Sequence, residues 1–530
     1  MSGDPTPSGP DLRAGYPEDQ LKDHGMVLGH VDGEPVLLAR LGAVVYAVSA
    51  VCPHYGGSLA DGVLAGDTIR CPLHHACFDL ATGRALRGPA LADITCYEVE
   101  RRLDLLRVRG RLEAHPPARA AIPRRTKAPR RIVIVGSGAA GTAAALALRK
   151  EGFEGQLTLI GEEAHEPYDR PNLSKDYLAG TAPEEWLPLL PRARYEDLGI
   201  RLTLGTAVAR IDPADRTVWL GDGRAFPYDA LLLATGATPV RLPVPGADRP
   251  HVYTLRNVDD ARTIRTRAQV EGRVVVIGTG FLGLEAAAAL RQLGVEVQVV
   301  GREAHPLERA LGPALGTRLQ QLHESHGVLF HLERQPREIG EKAVLLDDGR
   351  RLETSLVILA TGVQPNTDLA AAAGLATHDG ILVDRHLETS VPGIFAAGDV
   401  ARWPDPGTDA PVRFEHWATA ERLGETAARN MLGYMDPFEA IPFFWTHHYA
   451  VQVSYVGHAR AWDRLEILAN LPADQWEQRY FAGGTLAAVA TIGRDRESLL
   501  AEITLEQAVS SARPRRASEP RGARRARSAP

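Results

Sequence analysis

Residues 131–141 read RIVIVGSGAAG, and residues 273–283 read RVVVIGTGFLG. Each is an apolar, β-branched run that passes directly into G-x-G-x-x-G and then into an alanine-rich helical stretch. Strand, glycine turn and helix in that order begin a βαβ unit that binds a dinucleotide. The first glycine permits the tight turn, the second lets pyrophosphate approach the backbone, and the third lets helix pack on strand. In the first copy these are Gly136, Gly138 and Gly141, with Ala139 and Ala140 between them. In the second they are Gly278, Gly280 and Gly283, with Phe281 and Leu282 between them. The phosphates are expected at the two helix N-termini. A second strand follows each helix, at Gln156–Ile160 and Val295–Val300, and the first ends at Gly161-Glu162. That places Glu162 to accept hydrogen bonds from a ribose. Two such units imply two Rossmann-like α/β domains, one for FAD and one for NADH or NADPH, arranged so that a hydride can cross between them.

Ahead of both units stand Cys52-Pro53-His54 and Cys71-Pro72-Leu73-His74, with sixteen residues between His54 and Cys71. A Cys-x-His followed by Cys-x-x-His is the ligand pattern of a Rieske [2Fe–2S] centre, in which two thiolates hold one iron and two imidazoles the other. The metal ligands are then Cys52, His54, Cys71 and His74, in an all-β domain. The alternative is a structural Cys₂His₂ zinc site, but zinc spacings pair like ligands, whereas here each loop supplies one Cys and one His. The other two cysteines, Cys77 and Cys96, are expected to pack as small hydrophobes. His75 stands where Rieske domains commonly have Gly, and is read as a spectator or as a group that tunes the cluster.

With 530 residues the chain needs three or four cores. A net charge of −6 and 44% hydrophobic residues describe an ordinary globular protein. No run of 18 apolar residues occurs, so no membrane span is expected. The polar, acidic start lacks a signal peptide's apolar segment, and cysteines are few; both fit the cytoplasm. Residues 114–130, rich in Pro and Arg, read as a linker. Residues 511–530 carry seven arginines and one glutamate and read as a disordered basic tail, with no module that would bind nucleic acid.

From Arg131 to about Gln507 the chain resembles the two-dinucleotide-domain flavoprotein reductases. Within them it is similar to the ferredoxin reductases of dioxygenase and putidaredoxin systems and to apoptosis-inducing factor relatives. The resemblance rests on several motifs. Tyr168–Lys175, YDRPNLSK, is similar to the segment beside the flavin ring. Leu233-Ala234-Thr235-Gly236 and Leu359-Ala360-Thr361-Gly362 are similar to the two interdomain crossovers, and Thr389–Asp399, TSVPGIFAAGD, to the second FAD motif. Glu415-His416-Trp417 and Phe444-Trp445 are similar to the strips that cover the isoalloxazine. With the front domain included, the architecture resembles Rieske-bearing members of the apoptosis-inducing factor group. The resemblance implies a domain order of 22–113 (Rieske), 131–248 with 365–433 (a split FAD domain), 249–364 (NAD(P)) and 434–510 (a small α+β domain). It implies FAD contacts at Arg170, Lys175, Val208, Ala234, Thr235, Gly236, Asp399 and Trp417, and an NAD(P) contact at Gly362. Catalytic roles are implied for Lys175, near flavin N5, and for Glu285, facing the nicotinamide; the bland role of Glu285 is to complement a helix dipole. High-potential Rieske proteins carry an extra cysteine in each loop, where this chain has Gly57 and Leu73. That points to the low end of ~−150 to +300 mV.

In the family an acid ending the second strand of the nicotinamide domain selects NADH. By spacing that place is Gly301, followed by Arg302, whose guanidinium could pair with a 2′-phosphate, and by Glu303, which could replace the acid. Cofactor preference stays open. No Cys-x₄-Cys or Cys-x-x-Cys follows the first glycine motif, so dithiol chemistry is excluded. His447-His448 lacks the spacing of an oxygenase iron site and reads as packed or exposed. The expected function is transfer of electrons from NAD(P)H through FAD to a tethered Rieske cluster. The linker would let the cluster visit the flavin and swing out to an oxygenase, P450 or ferredoxin. The alternatives are an NAD(P)H oxidase or quinone reductase, or a redox-sensing flavoprotein; the resemblance also allows a homodimer.

Overall fold

The computed structural model describes residues 9–112 and 129–512. Nearly all of the expected linker and tail therefore lies outside the described residues. The front domain is built from two antiparallel sheets. Six strands run in the order Tyr16–Pro17, Leu105–Arg111, Cys96–Arg102, Val44–Ser49, Glu34–Leu41 and Met26–Val31. Four shorter ones, Val63–Ala65, Thr68–Arg70, Cys77–Asp79 and Ala85–Arg87, form the second sheet. The domain begins earlier than the expected residue 22. Leu12 and Leu21 are buried in its core, and Tyr16 pairs with Leu106. The short polar stretch before residue 22 hid these two anchors.

Each glycine motif follows the central strand of a five-stranded parallel sheet. The first sheet is ordered Ile200–Thr203, Gln156–Ile160, Arg131–Val135, Ala230–Leu233, Ile394–Ala396. The second is ordered Val252–Thr254, Val357–Leu359, Arg273–Ile277, Glu296–Val300, Leu329–His331. Strand Ile394–Ala396 completes the first sheet from beyond the second, so the first domain is assembled from two separated segments. Buried on both faces, the central strands read as unbroken apolar runs, as parallel strands do. Strand Ala237–Pro239 pairs antiparallel with Val363–Pro365, tying the outgoing and returning crossovers together. A five-stranded antiparallel sheet follows, beginning with the hairpin Phe443–His448 and Val451–Gly457, and the helix Asp495–Ala512 packs on it.

The Rieske-type domain is docked on the rest of the molecule through charge. Arg70 and Arg87 of the small sheet reach Glu506 at 2.8 and 2.5 Å. Both lie within 3.7 Å of Glu502, which is fully buried. Glu502 also accepts from Arg422 at 2.8 Å and pairs with His75 Nδ1 at 3.0 Å. Burial alone would raise the Glu502 carboxyl, but Arg422, His75 and Arg87 outweigh it and hold it well below the usual carboxylate range. Removing one partner of such a buried set costs ~3–5 kcal/mol, because the remaining charges stay desolvated. Glu502→Gln is therefore expected to lower the first calorimetric transition by several degrees. An unchanged melt would show that the docking does not depend on this carboxylate.

Candidate functional site

The two candidate ligand loops share one backbone plan. In each, the Cys amide donates to a carbonyl five residues on (Gly57, Ala76), and the amide four residues on (Gly56, His75) donates back to the Cys carbonyl. The plan needs a left-handed residue at the fourth position, and Gly56 and His75 have φ of 72° and 60°. Glycine takes this conformation freely; histidine does so at a cost of ~1–2 kcal/mol. His75 is held there by Phe443, stacked at 3.8 Å, and by Glu502. It is fully buried and forms part of the docking contact, which is the packing role among those the sequence left open.

The loops bring the four side chains together in like pairs. Cys52 and Cys71 are buried and hydrogen-bonded to each other, which raises Cys52 and lowers Cys71. His54 Nδ1 and His74 Nδ1 face each other at 3.1 Å. Burial lowers His54 to about 4 and His74 well below its ordinary value, so both rings are neutral at pH 7 and offer lone pairs. Two thiols side by side and two imidazoles side by side, with one of each from either loop, fit the donor set of a two-iron centre. Gly57 leaves the room: a Cβ there would lie 2.9 Å from Cys71 Sγ.

A cavity of about 1600 Å³ runs across both glycine loops, far larger than the roughly 300–1,000 Å³ of a drug-sized pocket. Gly136, Gly138, Ala139, Ala140, Glu162, Arg170, Lys175, Val208, Ala234, Thr235, Gly236, Asp399 and Trp417 line it. So do Gly280, Phe281, Leu282, Glu285 and Gly362. Gly141, Gly278 and Gly283 do not line the cavity. A Cβ on any of them would meet a carbonyl oxygen (of Gly136, Ala360 and Gly278) at 1.8–2.2 Å, so they serve the turn and the packing behind it. The open backbone at one helix start, with Glu162 at the rim and Asp399 beneath, fits FAD. Asp399 is held by Arg256 at 3.3 Å. Lys175 Nζ lies 2.8 Å from Glu285 Oε2, and Ser174 Oγ donates to the same oxygen at 2.5 Å. The two residues given separate catalytic roles are thus one ion pair in the cavity wall.

Arg302 is outside this cavity and exposed. The sheets show what it matches. Ile160 pairs with Val135, and Val300 with Ile277, so the residue two past each strand end is Glu162 in the first unit and Arg302 in the second. Register therefore moves the ribose-facing place one residue on from the spacing estimate of 301. Gly301 itself could carry no acid, since its Cβ would fall 2.3 Å from Thr279 Cγ2. Glu303 is engaged by Arg309.

Sequence reasoning gave Trp445 a place over the flavin only. It lines the cavity, and its ring also sits 4.2 Å from that of His74 and 6.3 Å from that of His54. On the other loop, Tyr55 stacks on His54 at 4.2 Å and donates to Asp169 in the YDRPNLSK segment.

Comparison with known proteins agrees with this arrangement. The model of the pyridine nucleotide-disulphide oxidoreductases matches residues 130–424, and that of the Rieske [2Fe–2S] domain matches residues 14–98. Human apoptosis-inducing factor 3 is 32% identical over 482 residues, 87% of this chain and 78% of its own. Rhodocoxin reductase of Rhodococcus erythropolis is 36% identical over 375 residues, 70% of this chain and 88% of its own. The solved covalent complex of putidaredoxin reductase with putidaredoxin is similar with a TM-score of 0.68 at 35% identity, covering 73% of this chain and 94% of that one. The chain belongs to the pyridine nucleotide-disulphide oxidoreductase family. It is an FAD- and NAD(P)H-dependent oxidoreductase of the ferredoxin reductase type with a fused Rieske [2Fe–2S] domain. Despite the family's name no dithiol serves it, for all four cysteines lie in the front domain.

Gly57→Val is expected to displace Cys71 and lower iron to well under two atoms per chain while flavin content stays at wild-type level. Full iron loading in this variant would show that the cluster does not sit between the two loops.

Proposed function

We propose that the protein draws electrons from NAD(P)H and delivers them singly through its own Rieske centre to an acceptor protein, such as an oxygenase, a P450 or a ferredoxin. FAD held at Gly136, Gly138, Glu162 and Asp399 would supply hydride acceptance and one-electron donation, and a two-iron centre held by Cys52, His54, Cys71 and His74 would supply one-electron acceptance. Trp445 is the observation that carries this reading: one side chain lines the flavin cavity and packs on His74. The path is dry on the entry side, where His74 is 6% exposed. On the other side His54 is only half-buried, and Tyr55, stacked on it, is 47% exposed, which marks the exit. The solved reductase–putidaredoxin pair is two chains brought together; here the iron–sulfur partner is held in cis by the Glu502 contact. Among the described residues no helix is long and apolar enough to cross a membrane. None of the four cysteines is in a disulfide, which supports the cytoplasm as the compartment.

In an anaerobic stopped-flow experiment NADH should bleach the flavin first and the cluster band second. Trp445→Leu should slow the second phase by about tenfold, ~1.4 kcal/mol of barrier, and more than it slows the first. A cluster that stays oxidised after the flavin has bleached would refute internal transfer. For the nicotinamide, Arg302 would contact an adenosine 2′-phosphate. Arg302→Ala is expected to lower kcat/KM for NADPH by about tenfold, ~1.4 kcal/mol, and to leave NADH nearly unchanged. An equal change for both cofactors would exclude Arg302 as the reader.

A further inference from the structure

Four buried polar groups lead away from the cavity in a line that the electron path does not use. Glu285 Oε1 accepts from Thr446 Oγ1 at 2.7 Å. Thr446 Oγ1 lies 3.2 Å from His448 Nε2, His448 Nδ1 lies 3.2 Å from His323 Nε2, and His323 Nδ1 lies 3.3 Å from the Tyr449 hydroxyl. Thr446, His448 and His323 are at most 1% exposed, and Glu285 is 7% exposed. Tyr449 reaches the surface, where it stacks at 3.6 Å on the exposed His326. The line is assembled from the helix Phe281–Gln292, the strand Phe443–His448 and the helix Pro313–Ser325. Thr446 and His448 stand two apart on one face of the strand, and Tyr449 turns back at φ 59° to meet His323.

We propose that Glu285, Thr446, His448, His323 and Tyr449 form a proton relay between the cavity and solvent; this rests on the oxidoreductase reading above. The balance of that reaction requires an exit for a proton. NADH loses a hydride and becomes NAD⁺; once both electrons have left through one-electron carriers, one proton remains in the cavity. Glu285 lines the cavity and is buried, so it is the carboxylate placed to take that proton.

The tautomers are set by one another. Thr446 has one hydrogen and gives it to Glu285, so His448 Nε2 must donate to Thr446 Oγ1. Burial, helped by the charge of Lys175 and by His447 for His448 and by His448 and His326 for His323, lowers His448 to about 3 and His323 to about 2, so both rings are neutral and carry a single N–H. His448 Nδ1 then accepts from His323 Nε2–H, and His323 Nδ1 accepts from Tyr449 O–H. Every hydrogen points inward. This is the register left behind when a proton has just moved outward: Glu285 gives its proton to Thr446, Thr446 to His448, His448 to His323, His323 to Tyr449, and Tyr449 to water. Rotation of the two hydroxyls and tautomer exchange in the two rings rearm it. Packing alone gives no reason for two imidazoles here, since apolar rings would fill the space without the cost of burying polar nitrogens.

The test mixes wild-type holoenzyme anaerobically with NADH, with ferricyanide as one-electron acceptor and phenol red as proton indicator. Bleaching by NADH releases no proton and is the internal reference. In wild type, proton appearance should keep pace with flavin reoxidation. In Thr446→Val, Tyr449→Phe and His323→Ala it should slow by roughly tenfold or more relative to bleaching. The slowed step should gain a solvent deuterium isotope effect, and added imidazole should restore His323→Ala. Thr446→Val and Tyr449→Phe keep nearly the same shape, so they guard against misfolding. A second readout needs no turnover. In resting protein labelled with ¹⁵N-histidine, His323 and His448 should be neutral, with slowly exchanging Nε2–H protons. Normal bleaching with unchanged proton release in all three variants would overturn the relay alone, as would either ring in the Nδ1–H or charged form. Absence of bleaching in wild type would sink the oxidoreductase reading and the relay with it.

Discussion

The buried carboxylate of Glu502 fixes where the iron–sulfur loops sit. It comes from the helix Asp495–Ala512 and meets two arginines and a histidine from the first domain, together with Arg422 from the helix Trp417–Met431. Three separately folded parts thus converge on one anion. A carboxylate this deep is tolerable only while it is surrounded, so the contact is all-or-none: losing one cation leaves the others unbalanced in a low dielectric. The same contact sets Phe443 against His75 and Trp445 against His74, because both aromatics lie on the edge strand of the sheet on which the helix carrying Glu502 packs. Alignment of cluster and flavin cavity is thus a consequence of charge neutralisation some residues away.

This bears on how a tethered carrier is to be pictured. A domain on a linker gains speed from high effective concentration, but each visit must then find its geometry. In the docked form the search has already been made, and entry to the cluster is shielded at His74 while His54 and Tyr55 remain toward solvent. Such asymmetry lets one docking arrangement serve both electron entry and electron exit.

What the sequence made legible was whatever is encoded by neighbours in the chain. The glycine turns and the Cys-x-His and Cys-x-x-His loops follow from local spacing, whereas the split of the first sheet by the second and the flavin-side motifs were legible only through the family resemblance. Register across a sheet is less local, and there the reading slipped by one residue. Counting from Gly278 gave 301, whereas strand pairing gives Arg302, because only the pairing of Ile160 with Val135 and of Val300 with Ile277 shows where each second strand ends. The front boundary was missed because Leu12 and Leu21, the buried anchors, are isolated apolar residues in a polar stretch. The packing partners of His75 were hidden for a different reason. Its backbone needs glycine's freedom, and what compensates the strain, Phe443 and Glu502, lies more than 360 residues away.

The same limit explains the histidines. His448 stands beside His447 in a strand and gives no periodic signal, and His323 sits on a helix whose other buried positions are apolar or glycine. Read singly, each is an ordinary core histidine. Only folding brings His323 within 3.2 Å of His448, and only Thr446, two residues back along the strand, joins the pair to the Lys175–Glu285 ion pair in the cavity wall. Electrons and protons then leave the cavity by opposite walls: Trp445 faces the cluster, and Thr446, the next residue, faces the other way because successive strand side chains alternate. One β-strand thus separates the two charge flows by no more than its pleat, and exchanging the two side chains would put each flow against the wrong partner.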